Sequence, residues 1–200
     1  MSADKQALRA QMKTLREELS ARDPDAGETL ADKFPLKLLE RYGPTVAVYF
    51  PIGSEIDPRP LMDKLVKAGA KLALPCVLSD SSMIYRHYTR GDPLEKRAFG
   101  LLEPFHEVPE VFPTLILTPL LAYDRHGNRL GYGQGHYDRA ISRLREQRRA
   151  FVCGLAFHGQ EVDTIPAESH DIPLDWVMTE RGSIPLFMMR AMQDAGENPD

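Results

Sequence analysis

Only two cysteines occur in the 200 residues, Cys76 and Cys153, and each sits inside an apolar run, Leu72 to Leu78 and Phe151 to Ala156. The expectation is buried free thiols in a reducing compartment, not a disulfide framework. No run of about 18 apolar residues exists, which argues against a membrane-spanning helix. The opening Met1-Ser2-Ala3-Asp4-Lys5 has no apolar stretch of the kind a secretory signal needs, so cytoplasm is the expected location. Charge of one sign is also missing: 25 basic and 29 acidic side chains leave a formal −4. That balance argues against nucleic acid as the principal partner, and any bound anion must be met by a local basic cluster. No Ser-His-Asp or Cys-His nucleophile, no internal repeat and no dividing linker is evident. With 42% hydrophobic residues the chain can build one compact core. A single domain over residues 1–200, with a polar, frayed tail from Asp194 to Asp200, is expected, and a monomer is the default.

What is present alternates between strand and helix patterns. Leu8, Met12, Leu15 and Leu19 recur at helical spacing and predict an amphipathic helix near residues 4 to 20. Lys5, Arg9, Lys13 and Arg16 form a second stripe at the same period, which by spacing alone reads as a solvated basic face. Pro24 opens a second helical stretch toward Glu40, and Thr45 to Phe50 reads as a buried strand. Asp57-Pro58 reads as a helix N-cap with proline at the first helical position, and Gly69 closes that helix. Lys71 to Val77 is a further strand, and Ile84 to Tyr88 alternates like an exposed one. Arg90 to Pro113, rich in Pro and Gly, reads as irregular. Thr114 to Thr118, Phe151 to Phe157 and Asp175 to Thr179 complete the strands, and His136 to Arg149 is a helix with a basic outer face. The alternation predicts an α/β layered fold with a largely parallel sheet.

Between the strand at 114–118 and the helix at 136 lies Asp124 to His136, with glycine at 131, 133 and 135. A strand, a glycine-rich loop and a helix N-terminus together can cradle phosphate, because glycines let backbone N–H groups approach an anion and the helix end adds partial positive charge. Arg129 adds a fixed cation with a bidentate fork. The loop is neither a Walker A sequence nor a dinucleotide fingerprint. On its glycines alone a tight turn remains open; the arginine and the strand-to-helix setting favour phosphate.

The blocks Lys5-Gln6-Ala7-Leu8-Arg9, Ser54-Glu55-Ile56-Asp57-Pro58-Arg59-Pro60-Leu61, Phe99-Gly100-Leu101-Leu102-Glu103-Pro104, Leu121 to Arg139, and Ser169-His170-Asp171-Ile172-Pro173-Leu174-Asp175 occur in this order. Together they resemble the 5-formyltetrahydrofolate cyclo-ligase family nearly end to end, from Lys5 to about Arg181. The resemblance implies a three-layer α/β/α fold related to the sugar-phosphate isomerase and CoA-transferase folds. It implies an enzyme using ATP and Mg²⁺ to convert 5-formyltetrahydrofolate to 5,10-methenyltetrahydrofolate. Phosphorylating the formyl oxygen makes it a good leaving group, so the protein's task is positioning and charge neutralisation.

By the same resemblance, Lys5, Arg9, Arg129, Leu130, Gly131, Tyr132, Gly133, Gln134, Gly135, His136 and Tyr137 would meet ATP, with Arg129 on the transferring phosphoryl. Phe50, Glu55 and the stretch Tyr132 to His136 would meet the folate, with Glu55 accepting from the pterin N–H groups. Asp138 and Asp171 would hold magnesium, since hard cations take carboxylate oxygens. Each has a plainer alternative: Asp138 complementing the helix dipole, Asp171 in a turn, Glu55 in a solvated loop, Phe50 filling the core. Arg125 either assists or belongs to a surface turn, and Trp176 reads as core. His136 stands where the family usually carries Tyr or Phe, which adds a group that titrates near neutrality. Whether Arg143, Arg145, Arg148 and Arg149 meet a polyglutamate tail or water stays open, with water favoured. Two rivals remain: a sugar-phosphate isomerase, needing a carboxylate base and no nucleotide, and a non-catalytic folate-binding protein.

Overall fold

A computed structural model describes residues 3–97, 100–147, 149–168 and 170–196. Phe99 and Ser169, which head two of the motif blocks, Arg148 and residues 197–200 lie outside the described residues. Three helices open the chain: α1 (Ala3–Arg22), α2 (Ala26–Lys33) and α3 (Lys37–Tyr42). The break between α2 and α3 follows from Pro35. Phe34 before it is extended (φ −64, ψ 124), the conformation that a following proline ring favours.

The rest alternates: β1 (Thr45–Ala47), α4 (Arg59–Lys67), β2 (Lys71–Val77), β3 (Met83–Tyr88), β4 (Leu94–Lys96), β5 (Leu102–Pro104), β6 (Glu110–Val111), β7 (Leu115–Pro119), β8 (Ala122–Tyr123), β9 (Arg129–Leu130), α5 (His136–Gln147), β10 (Phe151–Leu155), β11 (Trp176–Thr179), β12 (Gly182–Ile184) and α6 (Leu186–Gly196). Eight strands form one sheet in the order β12-β11-β10-β7-β1-β2-β3-β6. The inner strands β11, β10, β7, β1 and β2 run parallel; β12 and β3 run against them on either side, and β6 pairs antiparallel with β3 at the edge.

Side-chain alternation along the strands makes two cores. Val46, Leu72, Leu74, Leu115 and Leu117 face α2, α3 and α4 through Leu30, Leu38 and Leu61. Ala47, Ala73, Ile116, Val152 and Val177 face the other way, onto Ala140, Ile141 and Leu144 of α5 and Leu186 of α6. Each fully buried Leu or Ile contributes about 1.5–3 kcal/mol of transfer free energy. The result is the expected α/β/α layering with a largely parallel sheet. A third cluster lies beyond the sheet, where Met12 of α1 packs on Leu121, Ala122 and Leu130 of the β8–β9 hairpin and on Ile165.

Several sequence expectations are corrected. The strand expected over 45–50 forms ladder pairs only to Ala47, although the Val48 amide still donates to the Ala73 carbonyl at 2.9 Å. β3 is mostly buried, because β6 pairs along it and α5 covers it. The stretch expected to be irregular holds the β4–β5 hairpin and β6. α4 starts one residue later than expected, with Pro58 at the N-cap, and the Asp57 carboxylate accepts from the Arg59 amide at 2.9 Å. α6 runs to Gly196, into the stretch expected to fray. The outer arginines of α5 and its exit do more than face water: Arg143 pairs with Glu110 at 3.1 Å, Arg145 with Asp175 at 2.9 Å, and Arg149 sits over the Tyr42 ring. Trp176 packs against Phe151 and Phe187. Both cysteines are free and buried, and burial raises both thiols, Cys76 to about 12. Among the described residues, no helix is long and apolar enough to cross a membrane.

Candidate active site

Strand order fixes where a site can form. From β1 the chain moves one way to β2, and from β7 the other way to β10 and β11, so winding direction reverses between β1 and β7. In open parallel sheets the crevice beyond the carboxyl ends of the strands at such a reversal is the natural ligand position. Two segments emerge there: residues 48–55 after β1, and residues 120–135 after β7. α1 is held across the second by Met12 in the third core cluster. The basic stripe of α1 is thereby carried to the glycine loop.

Contacts in the crevice follow from that docking. Arg9 Nε donates to the Gly131 carbonyl at 2.9 Å. Arg16 is 2% exposed and donates from Nε to Ser54 Oγ (3.1 Å), from NH1 to the Leu120 carbonyl (3.3 Å), and from NH2 to the Tyr132 hydroxyl (2.6 Å). Its NH1 also lies 3.7 Å from Glu55 Oε1. Lys5 is buried, with Nζ 3.0 Å from Asp171 and 3.2 Å from Glu168. The solvated reading of the stripe holds only for exposed Lys13.

Glu55 is buried, and Oε2 accepts from the Ile52 amide at 2.9 Å. Burial raises its pKa, against hydrogen bonds from the Ile52 amide and Tyr132 hydroxyl and the charge of Arg16, which all pull it down. Nearby Phe50 is half-buried, packs edge-on to Tyr88 with centroids 5.7 Å apart, and leans on the larger core.

The glycine loop itself starts from the β8–β9 hairpin. Asp124, fully buried, closes the hairpin's tip: Oδ1 accepts from the His126 and Asn128 amides, and Oδ2 from Asn128 Nδ2 and the Ile165 amide. Arg129 follows on β9. Its NH2 donates to Asp138 Oδ1 at 2.7 Å, its NH1 to Thr118 Oγ1 at 3.2 Å, and it lies 5.6 Å from the Tyr137 ring centroid. The Leu130 side chain is buried in the third cluster, so only its backbone can meet a ligand. Gly133 and Gly135 hold positive φ (89° and 65°), a conformation that favours glycine. Among the described residues, none of the amides of residues 131 to 135 donates a hydrogen bond to the chain. Tyr132, Gly133 and Gln134 are exposed. His136 opens α5, with Nδ1 3.0 Å from the Ser81 carbonyl in the β2–β3 turn and Arg139 alongside at 3.3 Å. Its ring is therefore tied to that turn. Arg125 pairs with Glu161 at 2.7 Å on the surface, away from these contacts.

The two acids expected to hold magnesium lie on adjoining segments. Asp138 Oδ1 accepts from Arg129 and from the Ile172 amide at 3.1 Å, and Asp171 is next in sequence to Ile172. Partial burial pushes the Asp171 carboxyl up, but the Glu168 amide and Lys5 together hold it below the usual carboxylate range. The carboxylates of Asp171 and Glu168 raise Lys5 against its own burial. Both Asp138 Oδ1 and Asp171 Oδ2 are thus committed. Among the described residues, no group of three or more His, Cys, Asp or Glu is arranged to hold a metal.

Sequence reasoning missed Arg16 and the work of Asp124. A signal for Arg16 existed: Lys5, Arg9, Met12 and Arg16 are spaced 4, 3 and 4, so Arg16 shares a helix face with a core methionine. Known proteins resemble the chain over most of its length. A model of the 5-formyltetrahydrofolate cyclo-ligase family matches residues 1–180. A 5-formyltetrahydrofolate cyclo-ligase of Haemophilus influenzae is 31% identical over 85% of this chain and 94% of its own length. Another, from Mycolicibacterium smegmatis, is 36% identical over 80% of this chain and 86% of its own. The solved structure of Aquifex aeolicus 5,10-methenyltetrahydrofolate synthetase superposes with a TM-score of 0.74 at 30% identity, covering 91% of this chain and 92% of that one. The layered fold, the family model and these relatives agree: the chain belongs to the 5-formyltetrahydrofolate cyclo-ligase family and is a ligase.

Proposed function

We propose that the chain converts 5-formyltetrahydrofolate to 5,10-methenyltetrahydrofolate in the β1/β7 crevice, with ATP as co-substrate. The γ-phosphoryl passes to the formyl oxygen and ADP leaves. The second folate nitrogen then attacks the activated carbon and phosphate departs. One observation carries the placement of the nucleotide: the amides of residues 131–135 find no partner among the described residues and stand in front of the α5 N-terminus, beside Arg9 and Arg129. Unpartnered amides at a helix N-terminus suit a phosphate group. Lys5, Arg9 and the loop from Arg129 to Tyr137 take the triphosphate. Phe50, Glu55 and the stretch Tyr132 to His136 take the folate, the phenyl ring as a wall and the carboxylate as acceptor for pterin N–H groups. The whole chain acts as one domain and as a monomer.

Magnesium fits as an ion carried in by the triphosphate. Asp138 Oδ2 and Asp171 Oδ1 are the carboxylate oxygens not engaged by Arg129, Ile172, Lys5 and Glu168, and Asp171 Oδ1 has His170 Nε2 3.8 Å away on the exposed side. An ion that keeps waters and phosphate oxygens needs only one or two carboxylates. When bound it neutralises phosphate charge. Asp138→Asn should raise the magnesium concentration for half-maximal rate by roughly tenfold. An unchanged requirement would leave Asp138 as the partner of Arg129 and nothing more.

The test of the whole reading is incubation with ATP, magnesium and 5-formyltetrahydrofolate while following methenyl absorbance. Product formation that depends on ATP supports it. Folded protein that binds the folate but makes no methenyl product would instead be a binding protein, and turnover of a sugar phosphate without nucleotide would favour the isomerase rival.

A further inference from the structure

The Arg16 guanidinium touches three separate segments. It springs from α1 and reaches Ser54 in the loop after β1, the Leu120 carbonyl after β7, and Tyr132 in the glycine loop, with Glu55 3.7 Å from NH1. We propose that Arg16 is a positioning residue for the folate half of the site, holding Glu55 as a charged acceptor and locking it to the glycine loop through the Tyr132 hydroxyl. The proposal rests on the placement of the folate in this crevice.

The geometry favours positioning over mere packing. The shortest bond of the guanidinium, 2.6 Å, goes to a tyrosine that is 49% exposed, so a buried cation fixes a side chain whose ring borders open solvent. The groups that act on Glu55 are Arg16 from α1, Tyr132 from the glycine loop, Tyr49 after β1, Tyr137 from α5, and the Ile52 amide of its own loop. Arg16 is the cation of that set. A carboxylate out of water with only hydroxyls and an amide for company takes up a proton readily. A protonated Glu55 cannot accept from two pterin N–H donors equally well. Arg16 therefore acts on the folate without touching it. Because the same guanidinium holds Tyr132, any displacement of that ring is felt at Glu55.

The sign of the pH effect follows. Folate binding needs the charged acid, so it persists above the Glu55 pKa and fades as pH falls through it. Arg16→Gln removes the charge that holds that pKa down, so the acid limb of kcat/KM for formyl-folate should move upward by about one pH unit. KM for formyl-folate near neutral pH should rise about tenfold, and raising the pH past the shifted limb should recover much of that loss. Arg16→Lys keeps the charge, so the limb should stay near the wild-type position while the tie to Tyr132 is lost. Tyr132→Phe, which removes one hydroxyl from an exposed ring, should raise the same KM about threefold, and less than that in the Arg16→Lys background.

The measurements are pH profiles and both substrate KM values for wild type and the three variants, with thermal melts to establish folding. If Arg16→Gln does not fold, Arg16→Lys and Tyr132→Phe carry the test. Folded variants with a wild-type limb, a wild-type formyl-folate KM and additive effects at 16 and 132 would overturn the proposal. A loss that raising the pH does not recover would mean that Arg16 is only a strut. Absence of ATP-dependent methenyl formation by the wild-type protein would instead retire the activity reading, so the two failures are distinguishable.

Discussion

Replacing Arg129 by alanine is expected to lower kcat roughly a hundredfold, on the order of 3 kcal/mol of transition-state stabilisation, with little change in formyl-folate affinity. The chemistry spreads negative charge over the transferring phosphoryl, and a guanidinium that is already in place stabilises it without reorganising. Arg129 meets that condition. Its side chain is 5% exposed, NH1 is fixed by Thr118 and NH2 by Asp138, and the Tyr137 ring lies beside it. Lysine at 129 would restore charge but not the planar fork, so only part of the rate should return. With both substrates saturating, kcat reports the phosphoryl role directly. If the loss falls on the formyl-folate KM alone, Arg129 belongs to the folate half of the site. If neither changes, Arg129 is simply the counter-ion of Asp138. Because the two side chains share one ion pair, Arg129→Ala and Asp138→Asn should combine less than additively.

The parallel core was legible because its strands are short apolar runs set between helical patterns, and a fully buried strand needs no alternation to be recognised. The edges were not. β4 and β5 are three residues each, too short for any periodicity to mark them in a Pro- and Gly-rich stretch. β3 carries alternating side chains that suit an exposed strand, and only the non-local arrival of β6 and α5 buries it. At the site, contacts between neighbours in sequence were readable and distant ones were not. Glycines 133 and 135 announce their loop, and Asp138 announces a helix start. Nothing in the sequence brings Arg16 within 2.6 Å of Tyr132, because that contact depends on α1 docking on the β8–β9 hairpin. The same holds for Lys5 and Asp171, more than 160 residues apart in sequence and 3.0 Å apart in space.

Asp124→Ala is expected to cost about 3–5 kcal/mol of folding stability, because four donors lose the acceptor that a fully buried carboxylate gives them, the Ile165 amide in a buried contact and the other three in part-buried ones. Two come from the hairpin's own tip, the His126 and Asn128 amides; a third is the Asn128 side chain, and the fourth is the Ile165 amide from a distant segment. For a chain of 200 residues, that loss corresponds to a fall in Tm on the order of 10 °C. Asparagine at 124 is not a conservative replacement here. One carboxylate oxygen serves the His126 and Asn128 amides and the other serves Asn128 Nδ2 and Ile165. An amide group would keep one pair and turn an N–H against the other pair, so Asp124→Asn should lose most of the same stability. Arg129 begins the strand that leaves this tip, and any loosening of the tip moves its guanidinium away from Thr118 and Asp138. Variant protein that remains folded at low temperature should therefore also show reduced kcat. A thermal melt within a few degrees of wild type would show that the hairpin holds its shape without the carboxylate, and that Arg129 is positioned by its own contacts alone.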